Sequence, residues 1–191
     1  MLVMHFAHDY HTGMESSTLP RLAVLPRLAA DAVARAASVV PVVVLLGARQ
    51  TGKTTLVRSH PRLSSHTYLS LDDFDLRAQT QSHPEAAVQR APRLILDEVQ
   101  RSRDLLIAVK RAVDTDPQRL RGRFVLTGSA NLLMLQTVSE TLAGRAVYVN
   151  LWPFTRRERL GRGRAGRWTE LLEVRAPDRR EMLVSDAAAP E

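Results

Sequence analysis

Short apolar runs recur along the chain, and segments with helical spacing separate them. Val42 to Leu46 (VVVLL) carries no charge over five residues, the composition of a strand buried on both faces. Thr67 to Leu71 (TYLSL) alternates and is rich in β-formers, giving a second strand. Arg93 to Leu96 (RLIL) is a third. Phe124 to Leu126 (FVL) is a fourth, ended by Thr127-Gly128-Ser129, and Ala146 to Leu151 (AVYVNL) is a fifth. The intervening segments read as helices. Pro26 opens RLAADAVARAAS, which places Leu28, Ala32, Val33 and Ala36 on one face and ends before Pro41. One or two short helices fill the stretch from Asp75 to Arg90. Ser102 caps a helix to about Val113 with Leu105, Leu106, Val109 and Val113 as its buried stripe, and Asn131 to Ala143 forms another helix. Strands alternating with helices at this spacing predict an α/β fold, a parallel sheet covered on both faces.

Polar residues gather where the strands end. Directly after the first strand, Gly47-Ala48-Arg49-Gln50-Thr51-Gly52-Lys53-Thr54 matches G-x-x-x-x-G-K-[ST] at every fixed position, with Thr55 continuing into a helix. Such a loop curls around phosphate oxygens with its N–H groups pointing inward, and glycine permits both the φ values and the close approach. Lys53 is placed to reach the β- and γ-phosphates, and the Thr54 hydroxyl to ligate Mg²⁺. The helix N-terminus adds amide donors and a favourable dipole. Asp97 and Glu98 follow the third strand: Asp97 as a second anchor for the metal, Glu98 to orient and polarise a water. Thr127 or Ser129 offers a hydroxyl at the end of the fourth strand, and spacing does not choose between them. In a parallel sheet, ligands bind beyond the carboxyl ends of the strands, so the three clusters converge on one edge.

Composition narrows the remaining classes. The chain has 191 residues and is 45% hydrophobic, enough for one ordinary domain and a core. Its net charge of +7 is almost entirely arginine, since Lys53 and Lys110 are the only lysines. The absence of cysteine excludes disulfides and thiolate metal sites and fits a cytoplasmic location. No apolar stretch approaches membrane-spanning length, the longest being Val39 to Leu46 with Pro41 inside it, and no secretory signal is visible at the start. Residues 1–20 read as a weakly ordered polar lead-in, residues 21–158 as the folded domain, and residues 159–191 as an Arg/Gly-rich tail. Arg156, Arg157, Arg159, Arg162, Arg164 and Arg167 raise nucleic-acid binding as a partner reading. With only Trp152 and Trp168 interleaved, stacking is not its basis, and a solvated basic segment is the plainer account.

The ordered series GARQTGKTTL, YLSLDD, LILDEVQR, FVLTGSANLL, ETLAGR and LWPF with Glu158 resembles the AAA-type ATPases of the AAA_14 group, over about Pro26 to Glu158. The resemblance implies a three-layer P-loop NTPase fold whose mainly parallel five-stranded sheet runs in the order 5-1-4-3-2. It implies ATP and Mg²⁺ as ligands, with Lys53 and Thr54 in the first motif and Asp97 and Glu98 in the second. It places Ser129 in the sensor region. It makes Arg145 an arginine finger, acting in cis or across a homo-oligomer interface; the plainer reading of Arg145 is a strand-leading arginine paired with a surface acid. Members of the group usually carry a DUF4143 region downstream, which residues 159–191 do not resemble, so the chain reads as a C-terminally shortened member. Two functions follow from the resemblance: a Mg-dependent ATPase coupling hydrolysis to conformational change, or an ATP-binding switch with negligible hydrolysis. Phosphoryl transfer to another acceptor ranks below both, because no arginine-rich lid is evident between the fourth and fifth strands.

Overall fold

A computed structural model describes residues 24–129, 138 and 140–162. Strand β1 (Val42–Gly47) is buried at every position and lies inside a five-stranded sheet with β2 (Thr67–Ser70), β3 (Leu94–Asp97), β4 (Phe124–Ser129) and β5 (Ala146–Asn150). The order is β2-β3-β4-β1-β5 and every pairing is parallel, the sequence-derived order 5-1-4-3-2 viewed from the other edge.

Strand side chains alternate between faces, and two cores result. Val42, Val44, Leu46, Leu94, Leu96, Phe124 and Leu126 face one core. It is closed by α3 (Phe74–Ser82), α4 (Pro84–Val88) and α5 (Arg103–Asp114), through residues such as Leu76, Val88, Leu105 and Val109. Val43, Leu45, Ile95 and Val125 face the other core, closed by Val33 and Ala36 of α1 (Leu28–Ala37) and by Leu56 and Val57 of α2 (Lys53–Ser59). Fully burying each such aliphatic side chain contributes about 1.5–3 kcal/mol, so both layers hold the central strand in place. Asp73 accepts from the Leu76 N–H at the start of α3, and Ser102 accepts from the Leu105 N–H at the start of α5.

Two expectations shift in detail. Thr127, Gly128 and Ser129 do not end β4 but belong to it, because they continue its ladder opposite Leu45, Leu46 and Gly47. Leu28 is 40% exposed rather than part of the α1 stripe, since that helix meets the core through Val33, Ala34 and Ala36 of its later turns. Arg156 to Arg159 form a helical turn capped by Thr155, with Glu158 returning the bond to the Thr155 N–H. Of the helix expected over Asn131 to Ala143, Val138 and residues 140–141 are helical and the rest lies outside the described residues or turns toward β5. The 1–20 lead-in and most of the 159–191 tail also lie outside them. Among the described residues, no helix is long and apolar enough to cross a membrane.

Candidate functional site

The loop between β1 and α2 is fixed by what its backbone tolerates. A Cβ on Gly47 would stand 2.5 Å from the Leu151 carbonyl oxygen and 2.9 Å from Thr51 Oγ1, so only hydrogen fits. Gly52 adopts φ 90° immediately before α2, where an L side chain is strained. Gln50 also has a left-handed backbone, φ 63°. Thr51 Oγ1 closes the turn by donating to the Ala48 carbonyl at 2.9 Å. Lys53 is 5% exposed, and its ammonium donates to the carbonyls of Gly47 at 3.0 Å and Ala48 at 2.9 Å, which keeps the charge inside the loop.

Asp97, at the end of β3, is 3% exposed and fully engaged. Its Oδ2 accepts from Thr54 Oγ1 at 2.7 Å and from the Tyr68 hydroxyl at 2.6 Å, and its Oδ1 accepts from Thr127 Oγ1. A carboxylate needs such donors to remain buried. Burial first, and then the bond to Asp97, push the Tyr68 phenol up to about 12. Since the Thr54 hydroxyl gives its one hydrogen to Asp97, its lone pairs remain for a cation. Glu98 follows with a left-handed backbone, φ 59°, and its carboxylate accepts the Gln100 side-chain amide. A non-glycine residue in this conformation carries strain that surrounding contacts must hold.

A cavity of about 470 Å³ opens over this edge of the sheet. Arg49, Gln50, Gly52, Lys53, Thr54 and Thr55 line it from the loop, Glu98 and Ser129 from the ends of β3 and β4. Gly47, Ala48 and Thr51 form the loop framework behind it, and Asp97 lies beneath Thr54. Of the two hydroxyls left open by the sequence, Thr127 holds Asp97 whereas Ser129 lines the cavity.

Arg145 lies elsewhere. It directly precedes Ala146, which pairs with Val42, so it stands at the amino-terminal edge of the sheet while the phosphate loop stands at the carboxyl edge. Its guanidinium grips the Asp114 carboxylate two-pronged, Nη2 to Oδ2 at 3.0 Å, and donates to the Ala143 carbonyl. Five residues of strand separate Arg145 from its own phosphate loop, and Asp114 is its partner in this structure.

Sequence reasoning also missed a second cavity and the arginine beside it. About 460 Å³ of mostly apolar space adjoins the loop, lined by Val24, Leu25, Ala30, Leu56, His60 and Phe154, and it shares Gly52 and Thr55 with the polar cavity. Arg27 is buried there. It donates to the Thr51 carbonyl at 2.6 Å, to the Trp152 carbonyl at 2.6 Å and to Glu158 Oε1 at 3.0 Å, and its guanidinium stacks over Phe154. Burial pushes the Glu158 carboxyl up, but the N–H groups of Thr155 and Leu28 and the Arg27 guanidinium outweigh it and hold the group below its ordinary range. The spacing Thr155-x-x-Glu158 is a legible capping box, but nothing local in the sequence connects it to Arg27.

Comparison with known proteins bears on the family. Solved structures to which the chain is similar include DnaA from Aquifex aeolicus bound to AMPPCP (18% identity, 80% of this chain and 52% of that one, TM-score 0.47). Another is the ORC2 protein of Aeropyrum pernix (17% identity, 72% and 52%, TM-score 0.47). An uncharacterized protein of Mycobacterium tuberculosis is 34% identical over 153 residues, 80% of this chain, and its counterpart in Mycobacterium bovis matches equally. The chain spans about a third, 34%, of the length of these curated relatives. The family model described as an AAA domain, AAA_14, matches residues 40–160, well over half of the sequence. The chain belongs to the AAA_14 family of AAA domains.

Proposed function

We propose that this domain binds ATP with Mg²⁺ and hydrolyses it to drive a conformational change. The observation that carries the reading is the pair of contiguous cavities, polar over the glycine loop and apolar beside it, joined at Gly52 and Thr55. A triphosphate suits the first and an adenine base the second. Loop amides and Lys53 oppose the phosphate charge. Thr54 is the residue to hold Mg²⁺, with Asp97 fixing its hydroxyl from behind. A site with so few protein ligands suits this ion, which keeps waters and takes substrate phosphates as its other ligands. When bound, the metal supplies charge neutralisation across the phosphates. Glu98 is the group to orient the attacking water, positioned by Gln100, with Ser129 near the terminal phosphate. Arg27 offers the mechanical link, since it ties the Thr51 carbonyl of the loop to Trp152 and Glu158 beyond β5.

The test is a pair of variants. Glu98→Gln is expected to retain ATP binding and to lose turnover by about 10²–10⁴-fold, the range for a positioned general base. Lys53→Ala is expected to weaken both. Phosphate release from Glu98→Gln at the wild-type rate would refute the assigned role.

The second reading is an ATP-binding switch with negligible hydrolysis. The contact favouring it is the Gln100 amide on the Glu98 carboxylate, which engages the group needed by the water. Bound ATP that survives unhydrolysed at every protein concentration would establish it.

A further inference from the structure

Arg101 and Asp72 line the phosphate-side cavity and pair across it, Arg101 Nη2 to Asp72 Oδ1 at 2.7 Å. Asp72 stands beyond the end of β2. Arg101 closes the short turn Val99–Arg101 that begins immediately after Glu98, so it is three residues from the proposed water-orienting carboxylate. The other guanidinium on the cavity lining, Arg49, sits on the phosphate loop itself. Arg145, by contrast, is at the far edge of the sheet and paired with Asp114.

We propose that Arg101 is a phosphate-contacting arginine supplied by this chain itself, held by Asp72 and transferred to the terminal phosphate when ATP binds. The inference rests on the nucleotide-binding reading above and adds a residue and a discrimination to it. Relative strengths favour the transfer. The Arg101 and Asp72 side chains are 42% and 61% exposed, so water screens their pairing and little holds it. A triphosphate in the adjoining cavity carries several negative charges, and a pair of its terminal oxygens suits the two-pronged grip of a planar guanidinium. ADP lacks the terminal phosphate, so Arg101 stays on Asp72 in the product state. The pair therefore distinguishes ATP from ADP, and it stabilises negative charge only while there is a phosphoryl group to transfer.

The experiment titrates the whole chain, with Mg²⁺, against fluorescent ATP and ADP analogues and measures phosphate release in parallel. Arg101→Ala is expected to leave ADP affinity within twofold of wild type, to weaken ATP by about tenfold or more, and to slow any turnover by about 10²-fold. Asp72→Asn, an exposed change that leaves the fold intact, is expected to tighten ATP relative to ADP, and the effect should vanish when combined with Arg101→Ala. Arg111→Ala, an exposed arginine of α5 paired with Glu85 and outside the cavity lining, is the comparison and should not alter the ATP-to-ADP ratio. An unchanged ratio in Arg101→Ala, with binding still abolished by Lys53→Ala, overturns the role of Arg101 and leaves the nucleotide reading standing. Failure of wild type to bind either nucleotide overturns both. Because discrimination is read from binding alone, the result stands in a chain that does not hydrolyse.

Discussion

At the scale of single residues, Asp97 sets the geometry. Three hydroxyls, from Thr54, Tyr68 and Thr127, converge on one buried carboxylate, and each comes from a different element. Removing one donor leaves part of that charge unsatisfied, so Tyr68→Phe should cost about 1–3 kcal/mol at neutral pH, measured by urea unfolding. The same residue gives an alkaline signature. Its pKa is raised in the fold from 10.0 to about 12, so its stabilisation is complete below pH 10 and is lost as pH rises toward 12. The stability gap between wild type and Tyr68→Phe should narrow across that window. A constant gap would show that the phenol does not titrate as placed. Alternation puts Thr127 and Ser129 on the same face of one strand, so the sequence could not separate their roles. Register decides: Leu126 pairs with Leu96, which sets Thr127 beside Asp97 and carries Ser129 out to the cavity.

At the scale of elements, a buried ion pair joins the ends of the domain. Arg27 precedes α1 and Glu158 lies in the turn after β5, with side chains 6% and 4% exposed. Breaking such a pair leaves an uncompensated charge indoors, so Glu158→Gln should destabilise the domain by on the order of 3 kcal/mol. The pH dependence has a definite sign. The folded carboxyl is held below its ordinary value of 4.5, so its contribution is complete above that pH and falls away as the pH drops through the depressed value. Acid unfolding of wild type should therefore steepen below about pH 4.5, and Glu158→Gln should lack that component in a circular-dichroism titration. Helix caps and strand periods were legible beforehand: Ser102 before α5, and the uncharged run of β1. The Arg27–Glu158 contact was not, because its members are 131 residues apart and only chain closure around the sheet brings them together.

At the scale of the whole molecule, two arginines divide the surface. Arg101 lines the cavity of its own chain, whereas Arg145 faces away at the amino-terminal edge. If Arg145 serves phosphate chemistry it does so for a neighbouring copy, and turnover per chain should then rise steeply with protein concentration. Arg145→Ala would abolish that rise and lower the plateau by up to about 10³–10⁵-fold. Turnover per chain that is flat with concentration and unchanged in Arg145→Ala would assign the residue to its pair with Asp114 alone. The sequence by itself determined the parallel sheet, the glycine loop and the acids after β3, because strand period, turn chemistry and phosphate-loop spacing are local properties of the chain. Tertiary structure alone decided which hydroxyls hold Asp97, that Arg101 joins the loop residues on the cavity lining while Arg145 does not, and where the apolar cavity opens. Those depend on strand order and register, which bring together side chains that no local pattern connects.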